Sequence, residues 1–174
     1  MITAFINLKG GSTKSSSAVH LCRYLLAKNQ TVALVDADSQ ATSSTWINNL
    51  ENGIPRPKIY RLTEPDPLLD EIPEIAKSAD HVVVDGAGGL AEVQRTILLL
   101  ADRVFIPIQP SAPDISASHQ AIKAVSRARA IRNGQPSAYT FLSRVVPKTL
   151  LLAEAREVLS AYKDVPLLKA EIPQ

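Results

Sequence analysis

Asn7-Leu8-Lys9-Gly10-Gly11-Ser12-Thr13-Lys14-Ser15-Ser16-Ser17 separates an apolar, β-branched run, residues 2–6, from a segment in which Ala18, Cys22, Leu25 and Leu26 recur at helical spacing. Strand, small-residue loop, helix is the local order that a phosphate-binding site requires. Paired glycines let successive backbone N–H groups point inward, and the start of the helix contributes roughly half a positive charge. Lys14 reaches the outer phosphates of a triphosphate from this position, and the Ser15 hydroxyl suits Mg²⁺. A Gly-Gly-x-x-Lys-Ser string alone is weak, because clusters of Gly, Ser and Lys are usually ordinary loops. The flanking pattern is what gives it meaning.

That pattern continues along the chain. Residues 31–35, 81–84, 104–108 and 138–142 are short apolar runs that read as buried parallel strands. Between them lie segments of helical period: Ile97 to Ala101, then Ile122, Val125 and Ala128, then Leu152, Ala155 and Leu159. Alternation of this kind predicts an α/β fold, a doubly wound, mainly parallel sheet with helices on both faces and the ligand at the carboxyl ends of the strands. A sixth strand is expected over 167–172 and a short edge strand over 58–62, whereas proline-rich 52–67 reads as a surface excursion. One nucleotide-binding domain over 1–174 is expected, and because Gln174 lies just past the last expected strand, C-terminal helices that would cover that side of the sheet are expected to be missing.

Bulk properties narrow the classes. With 174 residues and 45% hydrophobic composition the chain holds one substantial core. A net charge of +2 announces neither an acidic tail nor a basic arm, so any nucleic-acid surface must be local. One cysteine, Cys22, excludes an internal disulfide and a four-thiolate metal site, and it falls on the apolar face of the first helix as a structural thiol. No signal peptide or long uncharged apolar run is visible, so no membrane partner and a cytoplasmic location are expected. None of His20, His81 and His119 has another His or Cys at metal spacing.

Lys9-Gly10-Gly11 followed by Lys14-Ser15 resembles the deviant Walker A motif of the ParA/MinD family of P-loop ATPases, and most of all its short ParF-like members. Three other segments agree. Val35-Asp36-Ala37-Asp38-Ser39-Gln40-Ala41-Thr42-Ser43-Ser44 is similar to switch I, with Ser39 where proline is usual. His81-Val82-Val83-Val84-Asp85-Gly86-Ala87-Gly88-Gly89-Leu90 resembles Walker B with switch II, and Pro107-Ile108-Gln109-Pro110-Ser111-Ala112-Pro113-Asp114 lies where the family has a proline-rich loop.

The resemblance implies ATP and Mg²⁺ as cofactors and a partition ATPase that dimerises on binding them. Nucleotide binding would fall to Gly10, Gly11, Ser12, Thr13, Lys14, Ser15 and Ser16, with Arg144 near the adenine. Ser15, Asp36 and Asp85 would serve the metal. Lys14, Asp38 and Lys9 would serve catalysis, Asp38 orienting a water and Lys9 reaching the nucleotide of the partner in a homodimer. Implied partners are a ParB-like adaptor that stimulates hydrolysis and non-specific DNA of the nucleoid. Arg127, Arg129 and Arg132, with Lys148, are the candidate phosphate-tracking residues; a solvated helix face explains them equally well.

One departure bears on activity. Thr13 stands directly before Lys14, where a standard loop has glycine. If that position needs φ > 0, a β-branched residue costs about 1–2 kcal/mol and its methyl crowds the phosphates. Either the loop relaxes and ATP is hydrolysed slowly, or the protein is a non-hydrolysing scaffold that has kept the fold. A positioning ATPase for a protein cargo is the further alternative.

Overall fold

The apolar runs become strands because each can be covered on both faces, which parallel sheets demand. The computed structural model describes residues 1–89 and 91–174. The described residues form a seven-stranded parallel sheet from β1 (Ile2–Phe5), β2 (Val32–Asp36), β3 (Lys58–Arg61), β4 (His81–Asp85), β5 (Arg103–Ile108), β6 (Ser137–Val145) and β7 (Leu167–Pro173), in the order β3-β2-β4-β1-β5-β6-β7. From β1 the chain steps one way to β2 and β3, then reverses and runs the other way through β4, β5, β6 and β7, so the helix after β1 lies on one face and those after its neighbours β4 and β5 lie on the other. The carboxyl end of β1 therefore sits at a switch point, where neighbouring connections part to opposite faces, the usual place for a ligand crevice in an open α/β sheet.

Helices α1 (Lys14–Ala27) and α2 (Thr42–Asn48) cover one face, burying Ala18, Val19, Cys22 and Ile47 against Phe5, Leu34 and Val83. On the other face lie α3 (Pro65–Ser78), α4 (Ala91–Leu100), α5 (Ala112–Ile131) and α6 (Leu150–Ser160), with Leu68, Ile72, Ile97, Val125 and Leu159 among their core residues. The doubly wound architecture with helices on both faces is as expected, and so is the edge strand β3. An open apolar cavity of about 680 Å³ runs beside α1 over Phe105, Phe141 and Leu168. Cys22 is buried, and burial pushes its thiol up to about 12, which suits a packing role.

α3 departs from the expectation. Residues 52–67 read as a surface excursion, yet Pro65 and Pro67 lie in the first turn of a helix, where the missing N–H groups would be unsatisfied in any case. Pro73 stands inside the same helix, and the burial of Leu68, Ile72 and Ile75 on one side offsets the lost backbone bond. Among the described residues no helix is long and apolar enough to cross a membrane.

Candidate functional site

Sheet register assembles the acidic half of the site. Asp36 ends β2 and Asp85 ends β4, and the two are direct partners across parallel neighbours, with Phe5 of β1 opposite Asp85 on its other side. Two carboxylates thus lie side by side beneath the loop that leaves β1. Asp36 Oδ1 accepts the Asp38 N–H at 3.2 Å and Oδ2 accepts the Ser44 N–H at 2.9 Å, so it shapes the turn between β2 and α2. Asp85 is different. Both of its oxygens are buried and find no hydrogen-bond partner among the described residues, as is true of the nearby Ser43 hydroxyl.

Burial pushes the Asp85 carboxyl up to about 6; the hydroxyls of Ser15 and Ser43, near the carboxylate but outside hydrogen-bond geometry, pull it part of the way back, Asp36 raises it and Lys14 lowers it. A folded-state value above the ordinary one means that the neutral acid is favoured in the native protein. This contribution to stability is full below about pH 4 and is lost as pH rises through about 6. The shift from 3.8 to about 6 corresponds to roughly 3 kcal/mol. Thermal melts from pH 4 to 8 should therefore show wild type losing stability relative to Asp85→Asn between about pH 4 and pH 7. Parallel curves for the two proteins would mean that Asp85 is solvated.

The loop supplies the cationic half. Lys14 is only 5% exposed, and its ammonium donates to Lys9 O at 3.1 Å and lies 3.5 Å from Ser12 Oγ. Burial lowers its pKa, while Asp85 and Asp38 hold it up. A side chain at Gly88 would meet Gly10 and the Lys14 ammonium at 3.8 Å, so the turn after β4 lies against the loop. Gly86 admits no replacement without rearrangement, since a Cβ there would sit 2.7 Å from Phe5 O. Leu90, the last residue of the segment that suggested a switch, lies outside the described residues.

Gly10, Gly11, Ser12, Thr13, Lys14, Ser15 and Ser16 line a cavity of about 310 Å³ together with Asp38, Gln40, Thr42 and Arg144. All seven loop residues singled out in the sequence are there, with Asp38 and Arg144 brought in from more than twenty residues away. Arg144, at φ 52°, also borders the larger apolar cavity. The wall of that larger cavity is mainly apolar, whereas the smaller one gathers Lys14, Asp38 and Arg144.

Lys9 is not directed into this cavity. Its ammonium pairs with Asp114 Oδ2 at 2.5 Å, with the Lys9 side chain 41% exposed and Asp114 almost fully buried. Ser111, the N-cap of α5, also bonds that carboxylate. Sequence reading missed a frame of amides beneath the loop. Asn7 Nδ2 donates to Pro107 O at 2.7 Å, Gln94 Nε2 donates to Ala87 O at 2.8 Å and Asn7 O at 3.1 Å, and Gln109 Nε2 donates to Gly11 O at 2.7 Å. A glutamine amid the apolar residues of α4 was the available signal.

Thr13 adopts φ 66° and ψ 13°, the left-handed region, with its hydroxyl donating to Ser12 O at 2.6 Å rather than capping α1. The expected conflict is therefore present. Thr13→Gly should stabilise the domain by about 1 kcal/mol, which raises Tm by about 2–4 °C at this size. Differential scanning calorimetry measures it, and a lower Tm would mean that the threonine is not strained.

Of the basic residues considered for DNA, Arg132 donates to Leu98 O at 2.8 Å and Ala101 O at 2.6 Å, and Arg129 donates to Gly134 O at 3.1 Å and to Asp164 O. These two guanidiniums fasten the end of α5 to its neighbours. Arg127 and Lys148 are exposed.

The sequence matches the family described as the CobQ/CobB/MinD/ParA nucleotide binding domain over residues 3–174. Maintenance of carboxysome distribution protein A of Gloeobacter kilaueensis is 29% identical over 173 residues, covering 98% of the chain and 76% of that protein. Protein virC1 of Rhizobium radiobacter is 31% identical over 119 residues, covering 66% of the chain; the match spans about half, 51%, of that relative's length. Among solved structures, cobyrinic acid a,c-diamide synthase of Mycobacterium smegmatis with bound ADP and magnesium superposes with a TM-score of 0.79 at 15% identity, covering 99% of this chain and 85% of the other.

Proposed function

The chain belongs to the CobQ/CobB/MinD/ParA family of nucleotide-binding domains, and we propose that it is an ATP-dependent partition or positioning ATPase that dimerises when ATP and Mg²⁺ bind. The observation that carries this reading is the 310 Å³ cavity, where seven consecutive loop residues meet Asp38 and Arg144. Loop amides and the N-terminus of α1 would hold the phosphates, Lys14 would neutralise the transferred phosphoryl group, and Arg144 would flank the base.

The donor set fits a nucleotide-bound magnesium. Mg²⁺ is commonly held by one or two carboxylates together with substrate phosphates and water, rather than by an all-protein cage. No group of three or more His, Cys, Asp or Glu gathers among the described residues, whereas Asp85 presents two buried oxygens without partners beside Ser15 and Asp36. When bound, the ion supplies charge neutralisation on the outer phosphates. Ser15 and Asp85 would hold it, with Asp36 behind them. Asp38, whose Oδ1 accepts the Gln40 N–H at 3.0 Å, would orient the attacking water through Oδ2.

Lys9 would leave Asp114 and reach the nucleotide of a second subunit. Sedimentation velocity with ATP, with ADP and without nucleotide, each with Mg²⁺, tests this step. A dimer with ATP alone is expected, and Lys9→Ala should remain monomeric throughout; a dimer that forms equally in all three conditions refutes the coupling. In this proposal the chain acts on a large cargo with a cognate adaptor that stimulates hydrolysis and the nucleoid in the cytoplasm as the surface; the similarity to a carboxysome-distribution protein supports the cargo part of it. DNA contact would be non-specific and made by the dimer.

A further inference from the structure

A groove runs between α4 and α5 on the face away from α1, formed by two contiguous cavities of about 300 and 270 Å³ that share Arg95, Ala124 and Arg127. One end abuts Leu8 and Ala91; the other is closed by Leu99 and Ile131. Along α5 the lining extends from Gln120 to Ile131, about 17 Å at 1.5 Å per residue, or three turns of a helix.

Its chemistry is uniform in sign. Arg95, Lys123 and Arg127 line the groove, no carboxylate does, and among the described residues none of the three makes a hydrogen bond or ion pair. By contrast Arg56, Arg129, Arg132 and Arg156 are all engaged with carbonyls or carboxylates. Lys123 and Arg127 are one helical turn apart, a like-charged pair from which α5 itself gains nothing. Leu99 is 45% exposed and Ile131 75% exposed, so the groove also has an apolar lining that folding leaves uncovered.

We propose that this groove docks an amphipathic helix of a partner protein, about three turns long, that lays an apolar stripe between α4 and α5 and flanks it with glutamate or aspartate. The three cations meet the acidic flanks, and the stripe covers Leu99 and Ile131. Duplex DNA would use the cations but gain nothing from the leucine and isoleucine. One end of the groove, at Leu8 and Gln94, adjoins the loop and its amide frame, but the docking draws on none of the nucleotide chemistry.

A probe peptide of about 14 residues, stapled into a helix, with leucines at i, i+3, i+4 and i+7 and glutamates on both flanks, tests it by fluorescence anisotropy on the full chain. Its match with lysine in place of each glutamate and a short random duplex DNA are the comparisons. Saturable binding of the acidic peptide is expected, weakened about tenfold or more by Arg95→Glu with Arg127→Glu and separately by Leu99→Ser with Ile131→Ser. The charge-reversed protein should instead prefer the lysine peptide. All four positions are exposed, so unchanged thermal melts serve as the folding control. Failure of the acidic peptide to bind, equal binding of both peptides, or DNA binding that needs the arginines but ignores Leu99→Ser would overturn the proposal.

Discussion

Lys14→Ala is expected to lower the rate of phosphate release by about 100- to 1,000-fold, the loss seen when a preorganised donor to transition-state charge is removed. Lys14 is buried, its ammonium is anchored on the Lys9 carbonyl, and it faces the cavity from the first residue of α1. Desolvation by burial disfavours a charged ammonium there, and the compensation comes from Asp85 and Asp38. Phosphates arriving at the loop would strengthen that compensation. The alanine variant should keep its fold, since Lys14 bonds only within the loop, and lose nucleotide affinity together with turnover. A stopped assay with a phosphate sensor reads the rate. Undiminished release would mean that hydrolysis comes from elsewhere, including a contaminant.

Asp38→Ala is expected to separate the two properties. If Asp38 positions the attacking water, the variant should lose about 100-fold or more in turnover, within the range for positioned acid–base groups, while ATP affinity changes by less than about threefold. Asp38 lines the cavity without belonging to the loop, and the turn it occupies is fixed by Asp36 and Gln40. The ATP-bound dimer should then accumulate and persist. Comparable losses in affinity and rate would show instead that Asp38 holds the loop together through its charge on Lys14.

The four central strands were legible because a strand buried on both faces has no choice but to be a continuous apolar run, as in Val82-Val83-Val84. α3 was not, because prolines read as breakers unless one knows that they occupy a first turn. The loop and its helix could be read as one unit since local order specifies them, and the two acidic strand ends followed from the same alternation. What escaped were bonds between distant segments: Lys9 to Asp114, 105 positions apart, and Gln94 to Asn7, 87 apart. Nothing local marks them. Arg129 and Arg132 illustrate the converse, since clustered arginines could be read as a phosphate surface or as a solvated helix face, yet these two are engaged by backbone carbonyls at the end of α5. The Thr13 conflict was readable because chirality alone disfavours a β-branched residue at positive φ.

A calorimetric titration of the purified chain with ATP in the presence of magnesium tests the phosphate cradle most directly. Saturable heat corresponding to one nucleotide per chain, abolished by Lys14→Ala, is the predicted result; absence of heat at millimolar nucleotide would contradict it.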